Sequence, residues 1–256
     1  MKAIETVLFP CVLLVLSCFN ADCFLPGIKV SSKIGACGHK MSKREQPLSM
    51  NIFGDFFGGD KLKAQKPMPV KQQLYPALVK TDPQVYGLKE ALFSFSGEDF
   101  AVMDITGHEV MKIRGANINI AGKVIDKLYF KTPEGDDLFS VERRIIALTT
   151  CYDLYRNGEC IAKVERELIS VTPKYKFFYE GDLNPFPDFE AEGSFSERRY
   201  AIRNGFGDLI ARVERSGVEV FGGVDSYQVQ VAAGVDAAAI LAVAIVVDED
   251  HDEGND

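Results

Sequence analysis

Tryptophan is absent from the 256-residue chain, and there are only three histidines. His39 lies in a basic N-terminal stretch, His108 beside a turn and His251 near the end. None sits where a strand would carry it inward, so nucleophile–imidazole chemistry lacks its usual base. Cysteine is equally uninformative. Cys11, Cys18, Cys23 and Cys37 fall early, leaving Cys151 and Cys160, and no CxxC spacing supports a metal site. Gly-rich phosphate loops, nucleophile elbows and HExxH are missing; "GFGDLIA" (Gly205 to Ala211) lacks a third glycine and follows no βαβ pattern. These absences argue against an enzyme and leave no expected cofactor or metal. A membrane-spanning run is lacking after the N-terminus too. The longest, Ala237 to Val247, has eleven residues, against the roughly 20 that a hydrocarbon core requires.

That run stands between Asp236 and the acidic Asp248, Glu249 and Asp250. A surface helix would show a polar face every 3.6 residues, but every position here is apolar, so a helix over 236–247 must be enclosed by protein. Small and large side chains alternate through Ala237, Ile240, Leu241, Val243, Ala244, Ile245 and Val247, which suits a tight sleeve. Asp236 stands at the N-cap position, where an acceptor and a negative charge are favourable. The competing reading is a central strand, given the β-branched Ile245, Val246 and Val247; strands of roughly 4–8 residues make the run long for it. The closing "DEDHDEGND" (248–256) carries oxygen ligands without the Gly-centred spacing of a calcium loop, and is expected to be a disordered acidic tail.

The chain opens with addressing segments. Residues 1–23 have an early lysine, an apolar core and small residues before "CFLP", the layout of a secretory signal peptide. Residues 24–50 carry Lys29, Lys33, Lys40, Lys43 and Arg44 with four serines and one acid, Glu45, as organelle transit peptides do. Together they resemble the bipartite presequence of algae with secondary plastids, which predicts plastid delivery through the secretory pathway; plain secretion is the alternative. Residues 51–84, rich in Pro, Lys and Gly, read as a linker or adaptor contributing at most one irregular strand.

From Val85 onward, turn dipeptides recur at short intervals: Ser96-Gly97, Thr106-Gly107, Glu134-Gly135, Asn157-Gly158, Glu180-Gly181, Glu192-Gly193, Asn204-Gly205 and Ser216-Gly217. Short strands between such signals predict an all-β sandwich or barrel. An internal echo strengthens this. "DITGHEVMKIRG" (104–115), "LYRNGECIAKVERE" (154–167) and "AIRNGFGDLIARVERS" (201–216) each read strand, Gly turn, then alternating apolar and basic residues, as hairpins of one design. Asn157-Gly158 is the strongest signal, because a type I′ turn needs positive φ at both central residues. Continued along the ladder, that turn places Cys160 opposite Tyr155 and Cys151 opposite Val164, so both thiols should be free.

About twelve strands followed by a wholly apolar helix suggest a closed antiparallel barrel around a central helix. The "YRNGECIAKVERE" and "IRNGFGDLIARVER" hairpins, and above all "DSYQVQVAAGVDAAAILAVAIVVDEDHDE" (225–253), resemble the LURP-one-related family, which is grouped with the Tubby C-terminal domains and the phospholipid scramblases. Over 85–247 the resemblance implies a twelve-stranded barrel plugged by the helix. It also implies a non-catalytic binding module that recognises a phospholipid headgroup or a protein partner; a scramblase-like lipid-translocating protein and a barrel-type small-ligand carrier are the alternatives.

The candidate anionic-lipid contacts are the strand-borne Arg143, Arg144, Lys163, Arg166, Arg198, Arg199, Arg212 and Arg215. Against them, residues 85–247 hold 18 Lys plus Arg and 25 Asp plus Glu, a net of −7. That balance opposes nucleic-acid binding and non-specific attraction to anionic membranes. The bland reading is that these cations are solvated and paired with Glu142, Glu165, Glu167, Glu197 and Glu214. No membrane span is expected in the mature chain, and a monomer is.

Overall fold

The computed structural model describes residues 60–90, 99–120, 123–168, 172–215 and 227–253, all within the compact unit Phe53–Asp256. The presequence segments lie outside the described residues.

The described residues hold twelve strands: β1 (Gln84–Glu90), β2 (Phe100–Asp104), β3 (Glu109–Ile120), β4 (Lys123–Lys131), β5 (Asp137–Arg143), β6 (Cys151–Arg156), β7 (Glu159–Arg166), β8 (Lys174–Tyr179), β9 (Phe189–Ser194), β10 (Arg199–Asn204), β11 (Leu209–Arg215) and β12 (Tyr227–Val231). Each pairs antiparallel with its chain neighbours, and β1 pairs with β12 to close the barrel. Gln84 faces Val231 at one end of that seam and Leu88 faces Tyr227 at the other. Among the described strands no edge is left open, which removes the usual aggregation and strand-addition surface there.

The pleat sends alternate side chains inward. Leu88, Val102, Met111, Ile113, Phe130, Leu154, Val164, Phe177 and Val229 are all inaccessible to solvent. A barrel this wide cannot be filled by wall side chains alone, and protein interiors tolerate little void. The lumen holds a single helix, α1 (Ala237–Glu253). Ala237 to Val247, the predicted helical residues among them, are each at most 3% exposed. α1 runs to Glu253, two turns past the expected end at Val247. Residues 248–253 are therefore helical and not a disordered tail, because the first acids after the apolar run meet cations of the wall.

The echoed hairpins turn out to be of two designs. Asp104–His108 and Asn204–Asp208 share one turn: the first side chain accepts from two following backbone N–H groups. Asp104 Oδ1 takes those of Thr106 and His108 at 2.8 and 3.0 Å. Asn204 Oδ1 takes those of Phe206 and Asp208, both at 3.0 Å. The third hairpin turns tightly at Asn157-Gly158, with φ of 53° and 82°, as the type I′ geometry requires. Beyond it a bulge between Leu154 and Tyr155 shifts the ladder by one residue. Cys160 does face Tyr155, but Cys151 faces Glu165, not Val164; both thiols are free. A bulge adds a residue to one strand and strengthens the local twist a barrel wall needs.

Residues 60–80 form a strap across the barrel end at which α1 begins. Two short 3-10 turns, Val70–Gln72 and Pro76–Leu78, bury Leu74 and Leu78 against the core. Backbone bonds stitch the strap down: Lys63 N–H to Leu209 O at 2.9 Å, Gln65 N–H to Ala233 O at 2.8 Å, and Gly234 N–H to Lys80 O at 2.8 Å. Gly234 has φ of +79°, and a Cβ there would overlap the Gln65 carbonyl. Only glycine satisfies both conditions.

Candidate interaction surfaces

Asp236 fixes the start of α1. Its Oδ1 accepts from Ala238 N–H at 3.2 Å and its Oδ2 from Leu74 N–H at 2.5 Å. One carboxylate thus caps the helix and holds the strap. Burial pushes this carboxyl up to about 6, against the backbone N–H donors of Leu74, Ala238, Tyr75 and Ala239, which favour the anion. Arg156 completes the closure by donating to the carbonyl oxygens of Gln73, at 3.2 Å, and of Leu74.

Asp248 and Asp250 fix the other end. Arg198 Nε donates to Asp248 Oδ1 at 2.8 Å, and its guanidinium lies 5.2 Å from the Tyr227 ring centre. Arg166 Nη1 donates to Asp250 Oδ2 at 3.0 Å, and the Tyr175 hydroxyl bonds the same oxygen. Burial, then Asp250, raises the Tyr175 phenol well above its ordinary range. Two of the eight predicted lipid-contacting cations are therefore helix clamps.

Two more belong to a network on the outer wall. Arg144, just after β5, makes a fork of hydrogen bonds to Asp153 on β6 at 2.9 and 2.6 Å and a third to Asp182 at 3.0 Å. The bond to Asp153 raises the guanidinium further above its already high range. Lys163 on β7 reaches Asp182 at 3.0 Å and Glu165 at 3.1 Å, with its ammonium 4.5 Å from the Phe178 ring centre. Burial works against the Lys163 charge, and the bonds from Asp182 and Glu165 overcome it. Asp182 is held below the usual carboxylate range, foremost by Lys163. Cys151, buried beneath this network, has its thiol pushed up to about 11 by that burial, so it lacks the thiolate character of a reactive cysteine.

The remaining four are dispersed. Arg143 ends β5; Arg199 begins β10 and meets Glu197 at 3.6 Å; Arg212 and Arg215 lie on β11. In the chain the eight cations fall into two groups, one on or beside β5–β7 and one on or beside β10–β11. The expected partners are also partly wrong: Glu142 pairs with Lys127 and Glu167 with Lys176, while Arg144, Arg166 and Arg198 take aspartates. Side chains brought together from different strands carry no local sequence signal, so Asp153, Asp182, Asp248 and Asp250 were missed.

A feature of another kind sits at the end where α1 finishes. The loop from Arg144 to Thr150 exposes Ile146 at 90% and Leu148 at 92%, and the next loop on the same rim exposes Leu168 at 63%. The two loops are tied at their bases: Thr149 Oγ1 donates to Arg166 O at 2.6 Å, and Arg166 N–H to Thr150 O at 2.9 Å. In the sequence this loop is "RRIIALTT" (143–150). Among the described residues no cluster of His, Cys, Asp and Glu is arranged to hold a metal.

The X-ray structure of a protein from Arabidopsis thaliana superimposes with a TM-score of 0.51 at 17% identity, covering 70% of this chain and 97% of that one, a likeness of fold. No curated protein matches the sequence. The LURP-one-related family model matches residues 85–248, the span from β1 to the first acidic residue of α1. With the closed barrel and its central helix in place, the chain belongs to the LURP-one-related family.

Proposed function

We propose that the protein is a non-catalytic binding module that docks through the barrel rim where α1 ends. The observation that carries this is the pair of nearly fully exposed aliphatic tips, Ile146 and Leu148, held on a loop whose base is hydrogen-bonded to its neighbour. Large apolar side chains exposed together on one loop are the kind of surface that marks a place where something binds. The partner is a protein surface or a phospholipid interface. Because Arg144, Lys163, Arg166 and Arg198 are already engaged with carboxylates, tight headgroup recognition by these arginines and lysine is the less favoured of the two.

The lumen is filled by α1, which speaks against a small-ligand carrier. A scramblase-like activity finds no support either: no described helix is long and apolar enough to cross a membrane, and the β5–β8 wall carries ion pairs where a lipid-facing barrel would need an apolar band. Plastid delivery through the secretory pathway stands as our proposal, testable by fusing residues 1–50 to a fluorescent protein.

Co-sedimentation of Phe53–Asp256 with vesicles of phosphatidylcholine, alone or with phosphatidylserine or a phosphoinositide, tests the docking rim. Pelleting that is lost in the Ile146→Ser/Leu148→Ser double variant identifies a lipid interface. If no vesicle pellets the protein, a protein partner is the expected ligand, and cross-linking from a cysteine placed at position 147 should capture it. A double variant that retains all binding would refute the assignment of the rim.

A further inference from the structure

On the outer wall, away from the rim, three residues stand in one cross-strand row. Tyr129 on β4 is opposite Ser140 on β5, and Ser140 is opposite Tyr155 on β6. Neighbouring strands lie about 4.8 Å apart and residues in one row point to the same face, so two tyrosines stand about 10 Å apart with the smallest hydroxyl side chain between them. The result is a groove of about 300 Å³. Ser140 forms its buried floor, and the two partly exposed tyrosines form its sides; the Tyr129 ring lies under the ammonium groups of Lys127, at 5.0 Å, and Lys131, at 5.6 Å, so Tyr155 supplies the aromatic face for a ligand and Tyr129 the opposite wall.

Polar groups close one end. Lys127 Nζ meets Glu142 Oε1 at 2.5 Å, and Ser140 Oγ donates to the same carboxylate at 3.3 Å. Asn157 and Arg156 border the far side. The charges within the groove are balanced: Lys127 is neutralised by Glu142, and Arg156 is committed to the carbonyl oxygens of Leu138, Gln73 and Leu74. An anion would find no uncommitted cation, and a purely apolar ligand would strand the serine, carboxylate and phenol groups in a poorly solvated place.

What remains is a ligand with many neutral hydroxyls. Planar polar side chains that fix hydroxyl groups, set beside aromatic surface that covers the C–H faces of a ring, are the means by which proteins hold sugars in water. We propose that the Tyr129–Ser140–Tyr155 groove is a binding site for a neutral carbohydrate, one to two sugar rings in size, with Glu142 and Lys127 as its hydroxyl-anchoring pair. This site is separate from the docking rim, so it stands or falls apart from the proposed function.

The test is a titration of the full chain, followed by ligand-observed NMR, with maltohexaose, cellohexaose, laminarihexaose and galactohexaose, and with inositol hexakisphosphate as the anionic probe. Three variants accompany it: Tyr155→Ala, which removes one wall; Ser140→Phe, which fills the floor; and Ile146→Ser, at the rim, as the distant control. Saturation transfer to at least one neutral oligosaccharide is expected, with binding at least tenfold weaker in Tyr155→Ala and Ser140→Phe and unchanged in Ile146→Ser. Unchanged far-UV circular dichroism distinguishes loss of the site from loss of the fold; if Ser140→Phe unfolds, Tyr155→Ala, on the outer face, carries the test. No transfer to any neutral oligosaccharide, binding of inositol hexakisphosphate alone, or binding that survives both groove variants would each overturn the proposal.

Discussion

Replacing Leu241 by alanine asks whether α1 is the core of the domain. Leu241 is completely inaccessible to solvent, one turn into α1, and the strands enclose it on every side. Deleting a buried leucine side chain costs about 2–5 kcal/mol, the upper part of the range applying where the surroundings cannot collapse into the cavity. A closed ladder of twelve strands cannot move inward at one point without breaking hydrogen bonds, so about 4 kcal/mol is expected. Domains of this size have about 5–15 kcal/mol in all. The control is Leu148→Ala, with the same chemistry on a residue 92% exposed, where the change should stay within about 0.5 kcal/mol. Urea unfolding of Phe53–Asp256 reports both. With no tryptophan in the chain, near-UV circular dichroism of the tyrosines is the natural signal, since Tyr86, Tyr152, Tyr200 and Tyr227 are fully buried. Equal losses for the two variants, or a loss under about 1 kcal/mol for Leu241→Ala, would refute the helix as plug. Leu241→Asp sharpens the point: soluble, folded protein from that variant would be incompatible with a dry lumen.

Gly234→Ala should cost about 2 kcal/mol or more, since it adds both positive-φ strain and a clash with the strap; a melting temperature indistinguishable from the parent would disprove the close approach. Arg166→Ala leaves Asp250, whose side chain is 5% exposed, without its cation. The expected cost is about 1–2 kcal/mol, discounted because Arg166 is itself partly solvated, and denaturant midpoints measure it. Asp236 supplies the pH dependence. Its folded value, about 6, lies above the roughly 3.9 of an unfolded aspartate, so between those limits the folded state binds the extra proton and stability rises as pH falls. Stability at pH 4.5 relative to pH 7 should therefore increase more for the parent than for Asp236→Asn; equal profiles would show that this carboxyl does not titrate with folding. Starting the chain at Thr81 should abolish cooperative unfolding, whereas starting at Phe53 preserves it, because the strap covers the helix start with Leu74 and Leu78.

What was legible in the sequence was whatever local chemistry decides. An apolar run with no polar face reads as an enclosed helix because it is long for a buried strand, and regularly spaced Gly turns give short strands of a sandwich or barrel; the family resemblance joins them as a barrel with its plug. The end of the helix was misplaced because apolar character stops at Val247 while helix geometry does not: Asp248 and Asp250 continue it once Arg198 and Arg166 neutralise them. Those partners come from the turn before β10 and from β7, and such pairings depend on register. Register was itself off by one at Cys151, because the bulge near Tyr155 has no residue signature. The strap was read as a linker for its Pro and Lys content, although Leu74 and Leu78 were its hint of burial. The exposed Ile146 and Leu148 carry no signal of their own, since exposure cannot be read from composition.

These details bear on how such a barrel can work at all. In a closed wall every strand is paired on both sides, so a partner cannot be recognised by adding a strand. In a filled lumen nothing can be carried. The helix could still have been a mobile piece, sliding out to release something, but it is held at both ends by carboxylates of opposite duty. Asp236 binds the strap and the first turn through backbone N–H groups, and Asp248 and Asp250 bind side chains projecting from β7, β8 and the start of β10. Extraction would have to break both clamps and expose eleven buried apolar residues, at about 0.8 kcal/mol for each methylene group, a cost on the scale of global unfolding. α1 is thus a fixed strut. What is left free to vary is the outer surface: loops at the rim, and grooves between cross-strand side chains that one substitution can open or fill. The proposed rim and groove are both features that can change without disturbing the barrel, and that independence predicts that Ile146→Ser and Tyr155→Ala should each alter binding while leaving the urea midpoint of Phe53–Asp256 in place.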